Sequence, residues 1–222
     1  MLGHPKRLGS GGFTLIELLV AIALMALMTV LSWRGLDGIS RTQTQLQQRS
    51  DAVLTLQATL AQWAADMEAM TSQPGQPGLD WDGRVLRILR RSSVAAAEGL
   101  HVVAWARRSE AGQGQWLRWQ SPALQDRSTL DLAWQKAALW AQTPSDEDRL
   151  REVRTIALEG WQVFYFRENA WSNPLSSVGG SALGASVTLP DGVRLVLQLP
   201  EGSGISGTLT RDWSQPLLGG GK

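Results

Sequence analysis

The chain has no cysteine, only two histidines and only three lysines among its 222 residues. Without cysteine there is no disulfide framework and no thiolate for metal or redox chemistry, so an exported domain must rely on its apolar core. The histidines are His4, near the N-terminus, and His101, set between Leu100 and Val102 in a strand-like pattern. A lone histidine of that kind reads as structural, no nucleophile elbow accompanies it, and a zinc site lacks nearly all its ligands. Lys6, Lys136 and Lys222 offer little material for a Ser-Lys dyad. The acidic groups Asp80/Asp82 and Asp146/Glu147/Asp148 lack the repeating spacing of a calcium loop, and Asp80-Trp81-Asp82-Gly83 reads as a solvated turn. Gly179-Gly180 and Gly202-Ser203-Gly204 are not followed by a helix, which argues against a phosphate cradle. No catalytic, cofactor or metal residue is assigned, and the chain is not expected to be an enzyme.

Charge is nearly balanced, with a formal net of +1. Removing Lys6 and Arg7 would bring +1 to about −1, no strong bias toward nucleic acid or acidic lipid.

What the chain does possess is an apolar run from Phe13 to Trp33 whose one formal charge is Glu17. At 1.5 Å per residue such a run covers ~30 Å, the hydrocarbon core of a bilayer. A carboxylate four residues into that run is costly unless it has a partner or a task. The plainer alternative is that Glu17 snorkels near the end of an ordinary anchor. The preceding segment, residues 1–12, is basic and glycine-rich and has no apolar core, so it is too short for a secretory signal. Ala21-Ile22-Ala23 fits a cleavage pattern only by chance, because hydrophobicity continues on both sides. Lys6 and Arg7 predict a cytoplasmic N-terminus and a single pass outward.

Beyond Trp33 the helix is expected to continue to about Thr71, with Gly35 and Gly38 as places to bend. Val53, Leu56, Leu60, Trp63, Met67 and Met70 form an apolar stripe, with Gln48, Asp51, Thr55, Gln62 and Asp66 on the opposite face. That stripe either packs on the protein's own sheet or faces neighbouring helices; the first suits its distal half and the second its membrane half. Residues 72–78 break the helix. Strands are predicted at Arg84–Arg91, Leu100–Arg108 and Gln115–Gln120, the last two joined by a loop over 109–114. Further strands are predicted at Gly160–Glu168, Gly192–Leu199 and Thr208–Trp213. Leu130, Leu132 and Trp134 alternate like a strand, yet Trp134–Gln142 reads equally as helix. Ser145 supplies N-cap chemistry for a short helix or turn.

Gly12-Phe13-Thr14-Leu15-Ile16-Glu17 resembles the signal of type IV prepilins and type II secretion pseudopilins. The resemblance implies cleavage between Gly12 and Phe13 by a prepilin peptidase/methyltransferase, N-methylation of Phe13, and an assembly role for Glu17. Arg34-Gly35-Leu36-Asp37, Leu158-Glu159-Gly160-Trp161, Trp171-Ser172-Asn173-Pro174 and Leu189-Pro190-Asp191-Gly192-Val193-Arg194 are similar to segments of the minor pseudopilin J family. This covers the anchor and the C-terminal third. It implies a pilin-like α+β fold, with a long N-terminal membrane-spanning helix packed on antiparallel β-sheets. The implied organisation is leader 1–12, transmembrane helix 13–33, periplasmic helix 34–71, periplasmic β-rich domain 79–216 and tail 217–222. Implied partners are minor pseudopilins I and K at a pseudopilus tip, and the inner membrane. Type IV pilus minor pilins share the signal, so a pilus role in DNA uptake or adhesion is the alternative. For that role Arg84, Arg87, Arg90, Arg91, Arg107 and Arg108 would form a basic strip beside Trp105, Trp116 and Trp119. A solvated sheet face with its tryptophans in the core is favoured over that strip, and no nucleic-acid partner is expected.

Overall fold

The computed structural model describes residues 13–92, 99–177, 189–202 and 204–216. The expected leader 1–12 with Gly12, the glycine pair at 179–180, Ser203 and the tail 217–222 lie outside the described residues. The chain divides into two compact units, Met1–Gln48 and Arg49–Lys222.

In the first unit every described residue from Leu15 onward belongs to helix α1 (Leu15–Glu68), and each side chain is exposed. Gly35 and Gly38 do not interrupt it. The hydroxyls of Thr29, Thr42 and Thr44 donate to carbonyls four residues back, at 2.8, 3.0 and 3.0 Å. Such back-bonding satisfies a polar group without outside help, which a helix in lipid requires.

In the second unit the remainder of α1 packs on two antiparallel sheets. Sheet one runs in the order β1 (Leu79–Trp81), β2 (Val85–Arg91), β3 (Leu100–Glu110), β4 (Gln113–Gln120), β5 (Glu152–Ala157). Sheet two runs β7 (Ala170–Ser172), β6 (Gly160–Arg167), β8 (Gly192–Leu199), β9 (Gly207–Ser214). Leu56, Trp63 and Met67 of α1 share one core with Leu86, Ile88, Trp105 and Trp116 of sheet one and Val163, Leu195 and Leu197 of sheet two. The stripe therefore does pack on the protein's own sheets over this stretch. Helix α2 (Arg127–Gln142) covers the other face of sheet one and closes a second core around Leu89, Val102, Ala104 and Trp119.

Several sequence expectations change. Residues 130–134 are helical: Leu130, Ala133, Ala137 and Trp140 turn inward at steps of three and four, while Leu132 is exposed. Asp126 caps this helix in a capping box with Thr129. The expected loop over 109–114 shrinks to Ala111-Gly112, whose φ angles of 49° and 82° match the twist of a two-residue hairpin and extend both strands to meet it. Helix α1 ends at Glu68, short of Thr71, because β2 takes up the chain: Met70 bridges Arg90, and the Thr71 amide donates to the Leu89 carbonyl at 2.8 Å. Asp80-Trp81 is strand rather than turn, with Trp81 buried and Asp80 paired to Arg87. The predicted N-cap at Ser145 opens α3 (Asp146–Leu150).

The largest departure concerns Asp66, which is not on a polar face. Its exposure is 0 %. Arg118 grips it with two bonds of 2.8 Å, Trp105 Nε1 donates at 2.9 Å, Gln62 donates at 3.1 Å, and Arg90 pairs with Oδ1. Leu86, Ile88 and Arg90 alternate onto one face of β2, Trp105 sits beside them on β3, and Arg118 opposes Trp105 on β4. One helical carboxylate is thus tied to three adjacent strands. Replacing Asp66 with alanine leaves two arginines buried without their anion, which costs roughly 3–5 kcal/mol. Trp105→Phe removes one donor to Asp66 and leaves part of the indole's space in the core unfilled, and costs about 2–3 kcal/mol, the smaller of the two losses. Urea unfolding of the detergent-solubilised chain checks both values and their order.

A hydrogen bond from Arg108 holds the Glu110 carboxyl below its usual range, and one from Arg194 does the same for Asp212. Each pKa is lower folded than unfolded, so the stabilisation is complete at neutral pH and is lost as pH falls from about 4 through the lowered values. The urea midpoint should drop in that acid window, and Glu110→Gln should remove part of the drop.

Candidate functional site

The N-terminal end of α1 carries the residues singled out in the sequence. Phe13 and Thr14 precede the first helical residue, Leu15, and Glu17 stands in the first turn. Thr14 and Glu17 cap the helix reciprocally. The Thr14 amide and hydroxyl donate to Glu17 Oε2 at 3.0 and 2.9 Å, and the Glu17 amide donates to the Thr14 hydroxyl at 3.4 Å. This satisfies helix-terminal donors that would otherwise stand open, a serious cost away from water. It also occupies only Oε2, and Glu17 Oε1 has no hydrogen-bond partner among the described residues. One oxygen of the carboxylate therefore remains available to a cation outside the chain.

The run that follows is exposed on every side, including Ile16, Leu19, Ile22, Leu27, Leu31 and Trp33. By length and composition α1 can cross a membrane. An apolar surface around the whole helix fits lipid, whereas a helix on a soluble core would bury one stripe.

The basic strip does not form on sheet one, and the expected solvated face holds for only half of its arginines: Arg84, Arg91 and Arg107 are exposed, whereas Arg87, Arg90 and Arg108 are tied to carboxylates. Trp105, Trp116 and Trp119 are fully buried, so none has a ring face to offer a base. Trp105 and Trp116 lie 4.4 Å apart, and Trp161 of β6 joins Trp116 at 5.8 Å and Trp81 at 4.5 Å, linking the two sheets. Arg87 pairs with Asp80, Arg90 with Asp66, and Arg108 with Glu110 and Glu152, both at 2.8 Å. Glu152 also accepts from Trp140 of α2 at 2.8 Å. Arg107 donates to the Leu158 carbonyl at 2.8 Å. His101 Nδ1 lies 3.0 Å from the Ser121 carbonyl on β3's other flank. Among the described residues no three His, Cys, Asp or Glu side chains converge as metal ligands.

Sequence reasoning missed the Asp66 centre, though a signal was present. Asp66 follows Trp63 by three residues and precedes Met67 by one, which puts it on the flank of the apolar stripe rather than opposite it.

A family model described as the prokaryotic N-terminal methylation motif matches residues 7–33. Type II secretion system protein J of Klebsiella pneumoniae is 39% identical over 57 residues, which is 26% of this chain and 29% of that protein. Type II secretion system protein J of Vibrio cholerae serotype O1 (strain ATCC 39315 / El Tor Inaba N16961) is 22% identical over 204 residues, 88% of this chain and 85% of that protein. The chain thus combines a prepilin-type N-terminal methylation motif, a pilin-like α+β architecture and, across most of its length, similarity to type II secretion system protein J.

Proposed function

We propose that the chain is a minor pseudopilin of a type II secretion system. It is made as an inner-membrane precursor with its N-terminus in the cytoplasm, and residues 1–12 are its leader. Prepilin peptidase adds water across the Gly12–Phe13 amide, leaving a carboxylate on Gly12 and an amine on Phe13; the amine then takes the methyl group of a sulfonium donor, which leaves as the neutral thioether while the nitrogen releases a proton. Residues 13–33 span the membrane, 34–68 continue the helix into the periplasm, 79–216 form the periplasmic domain and 217–222 its tail. With minor pseudopilins I and K the mature chain builds the pseudopilus tip and promotes protein export.

The observation that carries this reading is Glu17, the one formal charge in an otherwise apolar 21-residue run that the methylation-motif model matches. Cleavage creates a cationic amine on Phe13 at a depth where cations are costly. Glu17 of an adjacent subunit supplies the anion, and the pair is tolerable where either charge alone is not. Only one register of neighbouring helices brings the two together. Thr14 leaves Glu17 Oε1 open for that contact while fixing the side chain through Oε2.

Glu17→Ala should be cleaved and reach the membrane yet support little pseudopilus assembly; normal assembly and secretion in that variant contradict the proposal. Gly12→Ala should mature slowly, and Gly12→Val should stay at precursor mass. Intact-mass spectrometry reads both, and full-rate maturation of the valine variant refutes the assigned cut.

A further inference from the structure

The apolar run ends at exposed Trp33 and is followed at once by exposed Arg34. Arg41, two turns further along, is neutralised in place by Asp37 at 2.9 Å. Asp37 is also within a turn of Arg34, but its recorded partner is Arg41, and Arg34 has no ion pair among the described residues. A free guanidinium one residue past an exposed indole, at the point where the apolar run stops, is the pattern that marks a membrane–water boundary: the ring sits at headgroup level and the cation meets phosphate.

We propose that Trp33 and Arg34 form an interfacial clamp whose ligand is the phosphate of lipid headgroups at the outer surface of the membrane. The inference rests on the reading of α1 as a membrane anchor. Charge complementarity selects the occupant, because an unpaired guanidinium at this height meets an anionic layer.

The clamp also sets the depth of Glu17. Seventeen helical positions separate Glu17 from Arg34, ~26 Å along the axis of a helix perpendicular to the bilayer, against a hydrocarbon thickness of ~30 Å. With Arg34 held at the outer phosphates, Glu17 lies inside the inner boundary of the hydrocarbon and not in the cytoplasm. Sliding the helix inward by one turn, ~5.4 Å, would move the carboxylate toward the inner headgroups and away from the depth at which a neighbour's amine needs it.

Because the chain has no cysteine, single cysteines report its depth directly. The full chain carrying Ser32→Cys, Leu36→Cys or Ile39→Cys is placed in vesicles of phosphatidylglycerol with phosphatidylethanolamine, or of phosphatidylcholine alone, and labelled with a membrane-impermeant maleimide. With Arg34 present, positions 36 and 39 label and position 32 is protected. Arg34→Ala should slow labelling at position 36 by about five-fold, the effect of one basic residue at a lipid surface, and Arg34→Lys should restore it. An effect in both lipids assigns the ligand as the headgroup phosphate, and an effect only with phosphatidylglycerol assigns it as the net anionic surface; either supports the clamp. Unchanged labelling of Arg34→Ala in both lipids overturns it while leaving the anchor reading in place. Free labelling at position 32 in the parent chain overturns the anchor reading and the clamp together.

Discussion

The second unit depends on one carboxylate that has no access to water. Asp66 meets two guanidinium groups, an indole and an amide, and these donors come from three neighbouring strands and from α1 itself. A buried anion needs its partners in one arrangement, because a rotation of the helix or a slip of a strand leaves a charge stranded. Apolar packing alone is more permissive: Leu56, Trp63 and Met67 could find cover in more than one rotational setting. The hydrophobic stripe brings α1 to the sheet, and Asp66 selects how it lies there. The excess cation in the group is also shared out, since Arg118 donates to Gln120 and Arg90 to the carbonyl of Arg91.

Two carboxylates on one helix thus have opposite assignments. Asp66 is saturated within the chain, and its contribution ends with the fold. Glu17 is half-saturated, with Thr14 holding one oxygen and the other left open in a surface that is otherwise apolar. A group that is costly alone and satisfied only by a second molecule favours association in a single register. The proposed role follows from that difference in saturation, since the two residues carry the same functional group.

Sheet one is asymmetric for a related reason. Its faces each bury tryptophan, Trp105 and Trp116 toward α1 and sheet two, Trp119 toward α2. Arginines scattered along its strands are drawn to carboxylates as they are desolvated, so Arg87, Arg90 and Arg108 become internal ties instead of a basic surface. The sequence pattern of arginine beside tryptophan is compatible with both outcomes. Burial of the indoles decides between them, because a stacked base needs an exposed ring.

The apolar run of the anchor and most strands were legible along the chain because their signals are local. A 21-residue apolar run, a two-residue period in Gly160–Arg167 or Gly192–Leu199, and the cap at Ser145 each need only neighbours in sequence. Strands β1, β5 and β7 were not legible: β1 and β7 have three residues each, too few to show a period, and β5 does not alternate, since the consecutive residues Val153 and Arg154 are both exposed and no position is buried. The helical identity of 130–134 was hidden by leucines whose alternation is accidental, since Leu132 faces solvent. The pairing of Asp66 with Arg90 and Arg118 spans separations of 24 and 52 residues, and no periodicity records it. By itself, then, the sequence determined where the chain is apolar enough for lipid and where a lone anion interrupts it. Tertiary structure alone decided which charges are satisfied at home, because desolvation and strand register depend on residues brought together only when the chain folds.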